Sequence, residues 1–199
     1  YLDKKNRWKM PSKAETPMVT SYRPELDVSP VLGPVDASYY MSLIGILRRI
    51  CELGRVDICL EVSIMSSHMA MPREGHLEQV LHIFAHLNKY HNTEMVFDPT
   101  DPIIDKSRYQ KQNWASSEFG HIEGKEELPP NMPEPRFWVV IRAKVDADHA
   151  ADTMTRRSRT GFLIYLNSAL VYWHSKKQAS IESSTFGSEF TAMKQCCEY

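Results

Sequence analysis

The chain has 199 residues, with 24 Lys+Arg against 25 Asp+Glu, 42% hydrophobic residues and 25% charged residues. That balance belongs to a globular chain long enough to bury a core, and it excludes disordered, collagenous and disulfide-framework classes. No apolar run approaches the roughly 18 to 20 residues of a spanning helix, so no membrane role is expected.

The N-terminus, Tyr1-Leu2-Asp3-Lys4-Lys5, has neither an initiator Met nor an apolar signal segment, and an internal piece of a longer protein is expected. Eleven of the twelve prolines fall in residues 1–35 (five) and 93–135 (six), which divides the chain into two connectors and two packed regions. Residues 1–35 read as an extended lead-in.

Residues 36–92 read as a three-helix unit. Asp36 can cap the first helix, in which Tyr40, Leu43, Ile44, Leu47, Ile50 and Cys51 recur at three and four. Asp57–Met69 places Ile58, Val62 and Met65 on one face, and Arg73–Tyr90, opening just after Pro72, aligns Leu77, Val80, Leu81, Phe84 and Leu87. Arg49 borders the first stripe, so its guanidinium should reach solvent or an acid.

Residues 93–135 carry 9 acids against 4 bases and form an acidic linker; residues 136–199 carry 9 bases against 6 acids. Here the period changes. Phe137–Val145, Thr160–Asn167 and Leu170–His174 are β-branched and aromatic, the last two forming a hairpin across Asn167-Ser168. A helix follows, capped by Ser184 or Thr185, with Phe186, Phe190, Met193 and Cys197 as its apolar stripe. The expected fold class is α+β: the three-helix unit, then three strands and a helix.

Asp146-Ala147-Asp148 ends the first strand and Glu189 lies in an early turn of the last helix. Carboxylates so placed either converge on Mg²⁺ or stand as solvated surface groups. Arg156, Arg157 and Arg159, with Lys176 and Lys177, sit in two loops, where they are either solvated or meet nucleic-acid phosphates. Tyr172, Trp173 and Trp138 suit core packing better than base stacking. His76, His82, His86 and His91 lack an acid or Cys to complete a zinc set. Ser183, Ser184 and Thr185 fit capping, with no G-x-S-x-G elbow beside them. Cys51, Cys59, Cys196 and Cys197 have no C-x-x-C spacing and read as reduced thiols of an intracellular protein, cytoplasmic or nuclear.

Four blocks in order carry a resemblance: V-D-A-D-H-A-A-D (145–152), R-R-S-R-T-G-F-L-I-Y-L (156–166), Y-W-H-S-K-K-Q (172–178) and S-S-T-F-G-S-E-F-T-A-M (183–193). They resemble the ribonuclease H region of Ty1/copia-type retrotransposon polyproteins. Residues 39–47, 54–58 and 76–90 look like the segment between polymerase palm and ribonuclease H in the same polyproteins. The resemblance implies a truncated ribonuclease H-like α/β domain over 136–199 after a thumb- or connection-like unit over 36–92. It also implies an RNA/DNA hybrid and the rest of the polyprotein as partners, with Mg²⁺ held by Asp146 and Glu189 as the matched ligands. His149 and Ala151 depart from the pattern, where an aromatic residue and Gly are common. The third carboxylate, in a D-N-Q-S-like block, and a fourth would follow Tyr199, so the fragment alone is expected to be inert.

Overall fold

The computed structural model describes residues 8–105, 107, 113, 116, 118 and 139–199. Three helices come first: α1 (Pro34–Glu52), α2 (Cys59–Ser66) and α3 (Glu74–Lys89). Helix α1 starts two residues ahead of the expected cap. Gly33 is its N-cap and Pro34 its first residue, whose fixed φ suits that position, while Asp36 sits in the first turn. Helix α2 is shorter than its apolar pattern, because Val56–Ile58 forms a 3-10 turn ahead of it. The third helix spans all but the ends of Arg73–Tyr90.

The helical stripes meet in one apolar core. Tyr40, Leu43, Ile44, Leu47, Ile58, Met65, Leu77 and Val80 are fully buried there. Tyr40 keeps its hydroxyl satisfied by donating to the Met65 carbonyl (2.7 Å), which ties α1 to α2. Arg49 is solvent-exposed and pairs with Glu52 (3.3 Å).

The chain before α1 straps the start of α3. Leu32 N–H donates to the Pro72 carbonyl, Glu74 N–H to the Pro30 carbonyl, and Val31 bridges Arg73. His76 closes the strap: its Nδ1 accepts from the Arg73 N–H (3.1 Å), so Nε2 carries the proton donated to the Pro24 carbonyl (3.0 Å).

Three strands follow, β1 (Ile141–Asp148), β2 (Arg159–Leu166) and β3 (Ala169–Lys177), antiparallel in the order β1-β2-β3. The first strand lies later than expected. It takes in Asp146 and Asp148 as ladder residues opposite Gly161 and Arg159, whereas the reading from Phe137 stopped at Val145. Phe137 and Trp138 lie outside the described residues.

Helix α4 (Thr185–Cys197) packs on one face of the sheet, and α2 approaches the other at β3. The Ser184 side chain caps α4 by accepting from the Gly187 N–H (3.1 Å). The expected stripe, however, is the wrong one. Ser188, Ala192 and Cys196 are buried against the sheet, while Phe186, Phe190, Met193 and Cys197 face outward, Phe186 at 79% exposure. Small side chains let the helix backbone approach the strands, and the fully buried Gln178 uses that closeness to donate from Nε2 to the Ser188 carbonyl (2.9 Å) and to Thr160 Oγ1 (3.1 Å).

Candidate nucleic-acid interface

The register places Asp148, Arg159 and Lys177 on one rung, so the β1–β2 loop and the segment leaving β3 emerge at the same end of the sheet. All five basic residues singled out from the sequence gather there. Their roles divide.

Asp152 organises the β1–β2 loop. One carboxylate oxygen accepts from the N–H groups of Met154 (3.1 Å) and Thr155 (2.9 Å), and the other pairs with Lys177 Nζ (2.7 Å). Its carbonyl accepts from the Arg156 N–H (2.7 Å), and Arg156 takes up a left-handed φ of 57° to make that bond. Burial opposes the charge on Asp152, but Lys177 and the Thr155 bonds outweigh it and hold the carboxyl down at about 2. Thr153 extends the loop's anchorage by donating to Glu25 (3.1 Å).

Arg159 turns inward. Its guanidinium donates to Ser63 Oγ (2.6 Å), which itself donates to the Ser175 carbonyl (2.7 Å), so this cation bridges α2 and the sheet. Lys177 is engaged by Asp152. Arg156, Arg157 and Lys176 are exposed, and no acid among the described residues forms an ion pair with them. Three cations at one sheet end are therefore free for a polyanion.

The two carboxylates fall apart. Successive strand residues point to opposite faces, and Ala147 is buried under α4, so Asp146 lies on the far face, in a cleft of about 350 Å³ also lined by Val56, Cys59 and Leu60. Glu189 belongs to α4 on the near face. Among the described residues no three His, Cys, Asp or Glu side chains group closely enough to hold a metal ion. No hydrolytic step is assigned to the residues present.

The aromatic residues mostly pack. Phe162, Tyr172, His174 and Tyr199 form one cluster beneath the end of α4, with Phe162 and His174 stacked at 4.8 Å. Of the helix histidines, His82 contacts the Thr16 carbonyl (3.0 Å) and His86 lies beside Asp57 (3.6 Å). All four cysteines are free thiols. No helix among the described residues is long and apolar enough to cross a membrane.

Asp152, Gln178 and Ser63 are the organising residues that sequence reasoning passed over. An Asp two and three residues before the N–H groups it accepts from is an Asx-turn signal that was available for Asp152. Ser63 and Gln178 act through partners distant in sequence and leave no local trace.

No protein-family model and no solved structure matches the chain. It is 24% identical over 153 residues, 77% of its length, to the retrovirus-related Pol polyprotein from transposon TNT 1-94 of Nicotiana tabacum, of which the match spans 9%. Over 53 residues it is 40% identical to secreted RxLR effector protein 161 of Plasmopara viticola, spanning 37% of that protein. Another 53-residue match, 36% identical, is to the uncharacterized mitochondrial protein AtMg00810 of Arabidopsis thaliana, of which it spans 22%. The chain thus covers well under two thirds of each of these relatives. Similarity to a transposon polyprotein across three quarters of the chain supports a retrotransposon-derived protein.

Proposed function

We propose that this chain is a segment of a Ty1/copia-type reverse transcriptase and ribonuclease H polyprotein, and that it grips the phosphates of an RNA/DNA hybrid through the loop end of its sheet. The observation that carries this reading is the separation of the five basic residues into two structural cations, Arg159 and Lys177, and three exposed ones, Arg156, Arg157 and Lys176, delivered to one sheet end. Lys and Arg so placed give sequence-independent affinity by releasing counterions. The transposon similarity supplies the class of polyanion, and the four ordered sequence blocks supply the ribonuclease H-like assignment.

In this reading the chain is a gripping and scaffolding element. The Mg²⁺ chemistry of the parent polyprotein belongs to an assembly with further carboxylates. The mostly structural role of Arg159 fits the same view, since its guanidinium is spent on holding α2 against β2.

The test is fluorescence anisotropy on a labelled RNA/DNA hybrid at fixed low salt. Replacing Arg156, Arg157 and Lys176 together with Ala should weaken binding on the order of tenfold or more, with the circular dichroism spectrum unchanged. Unaltered affinity in that triple variant would overturn the reading.

A further inference from the structure

Ser63 of α2 stands between the two segments that carry the exposed cations. Its hydroxyl donates to the Ser175 carbonyl (2.7 Å) and accepts from the Arg159 guanidinium (2.6 Å). Ser175 immediately precedes Lys176 on β3, and Arg159 opens β2 just after the loop that holds Arg156 and Arg157. One side chain of the helical unit is therefore bonded to the roots of both basic segments, with its proton and an acceptor lone pair engaged. Burial holds the Arg159 guanidinium below its ordinary value, with Asp148 and Asp152 acting against that shift. A guanidinium so placed loses more from a missing acceptor than an exposed one would, because the donor left over is cut off from water.

The outer turn of the same loop has its own anchor. Thr153 donates to Glu25 (3.1 Å), and Glu25 belongs to the Pro24–Leu26 turn, whose Pro24 carbonyl is bound by His76 of α3. A cleft of about 100 Å³ runs between loop and helical unit, with Pro24, Ile64 and His68 on one side and Ala151, Asp152 and Arg157 on the other.

The loop needs such support. Ala150 and Arg156 both take left-handed φ values, 51° and 57°, which are unfavourable for residues with a Cβ and persist only where the surroundings impose them. Cations already in place bind a stiff polyanion better than cations that must be ordered on contact, because the ordering costs free energy at that moment.

Resting on the gripping role given above, we propose that the helical unit and its lead-in position the grip: Ser63 sets the spacing of the two basic segments, and Ser63 with Glu25 holds the β1–β2 loop in the shape that presents Arg156 and Arg157. Neither Ser63 nor Glu25 meets nucleic acid. They act on affinity through the fraction of molecules whose loop is in its binding shape.

Two measurements on the 199-residue chain test this: backbone amide exchange by NMR without nucleic acid, and fluorescence anisotropy on the labelled RNA/DNA hybrid across salt concentrations. Ser63→Ala and Glu25→Ala should each speed exchange at Asp152, Thr155 and Arg156 and weaken hybrid binding by roughly threefold to tenfold. The slope of log affinity against log salt should keep its wild-type value, since no phosphate contact is removed. Ser63→Thr and Glu25→Gln, which keep the hydroxyl and the acceptor, should restore both readouts. The sign at Glu25 is diagnostic. Loss of an acid beside a polyanion site would by charge alone tighten binding, whereas Glu25→Ala should weaken it. Glu25 carries the test if Ser63→Ala fails to fold.

Wild-type exchange and affinity in both alanine variants overturn the proposal. So do faster exchange with unaltered affinity and a salt slope that falls with either substitution. Failure of the gripping reading looks different: the wild type does not bind the hybrid, or binds it undiminished when Arg156, Arg157 and Lys176 are all Ala. The exchange result still decides in that case whether the helical unit holds the loop.

Discussion

The Asp27 carboxylate occupies the space that a side chain on Gly75 would need. Gly75 lies in the first turn of α3, where unpaired N–H groups favour an anion, and its own N–H donates to Ser29 Oγ (2.9 Å). Asp27 is held there by Ser29 N–H (2.8 Å), Ser29 Oγ and the Tyr22 hydroxyl. Burial works against its charge, but the Ser29 and Tyr22 bonds prevail and keep its carboxyl below the usual range.

Gly75→Ala should therefore destabilise the protein by about 1 to 3 kcal/mol through overpacking. In an Asp27→Ala background the same change should cost much less. A double-mutant cycle in urea denaturation measures the coupling; additive effects would mean that the carboxylate and Gly75 do not compete for space.

Stability should fall in two separate acid windows. Burial, with His76 4.4 Å away, pushes His68 down to about 4, below its ordinary 6.5. Lys177, Asp152 and Glu25 also act on it. A base with a lowered folded pKa binds protons more readily when unfolded, so stability from this group is present above about 6.5 and is lost as pH falls toward 4. Asp152, at about 2, keeps its contribution above its ordinary 3.8 and loses it between about 4 and 2. His68→Gln should flatten only the upper window, with an effect on the order of 1 kcal/mol after allowance for its solvent exposure. Chemical denaturation at several pH values resolves the two.

Asp152→Asn should have opposite effects on stability and binding. It weakens the loop and removes this residue's share of the lower acid window, yet it frees Lys177, which now spends its charge on Asp152 (2.7 Å). Hybrid affinity should rise, and the slope of log affinity against log salt should steepen by about one contact. Loss of affinity would place the loop's shape above its charge.

Much of this was legible in the sequence where one periodic stripe met one core. The stripes of α1 and α3 did so, because large apolar residues recur there with polar ones between them. The same rule misassigned α4, where periodicity located a stripe but not the side that packs, and Ala192 and Ser188 won burial because they allow close approach. Strand β1 was placed too early because Asp is a poor strand former in isolation; at a sheet edge its side chain faces water and the backbone ladder carries it. The same displacement puts Asp146 inside the ladder opposite Gly161, where strand alternation commits its side chain to one face. The basic loops were visible as charge, but the engagement of Arg159 by Ser63, 96 residues away, was not.

With Asp146 and Glu189 on opposite faces, the 199-residue chain should not cleave the RNA strand of a labelled hybrid in Mg²⁺. Gel analysis of the products checks this. Mg²⁺-dependent cleavage that Asp146→Asn abolishes would require the two carboxylates to meet, contrary to the sheet register.

The most direct measurement is a salt titration of hybrid binding. Three exposed cations, each meeting about one phosphate, should give a log–log slope of roughly −2 to −3, falling toward zero when Arg156, Arg157 and Lys176 are all Ala. An affinity unchanged between about 50 and 300 mM salt, or a slope that survives the triple substitution, would contradict contact through this end of the sheet.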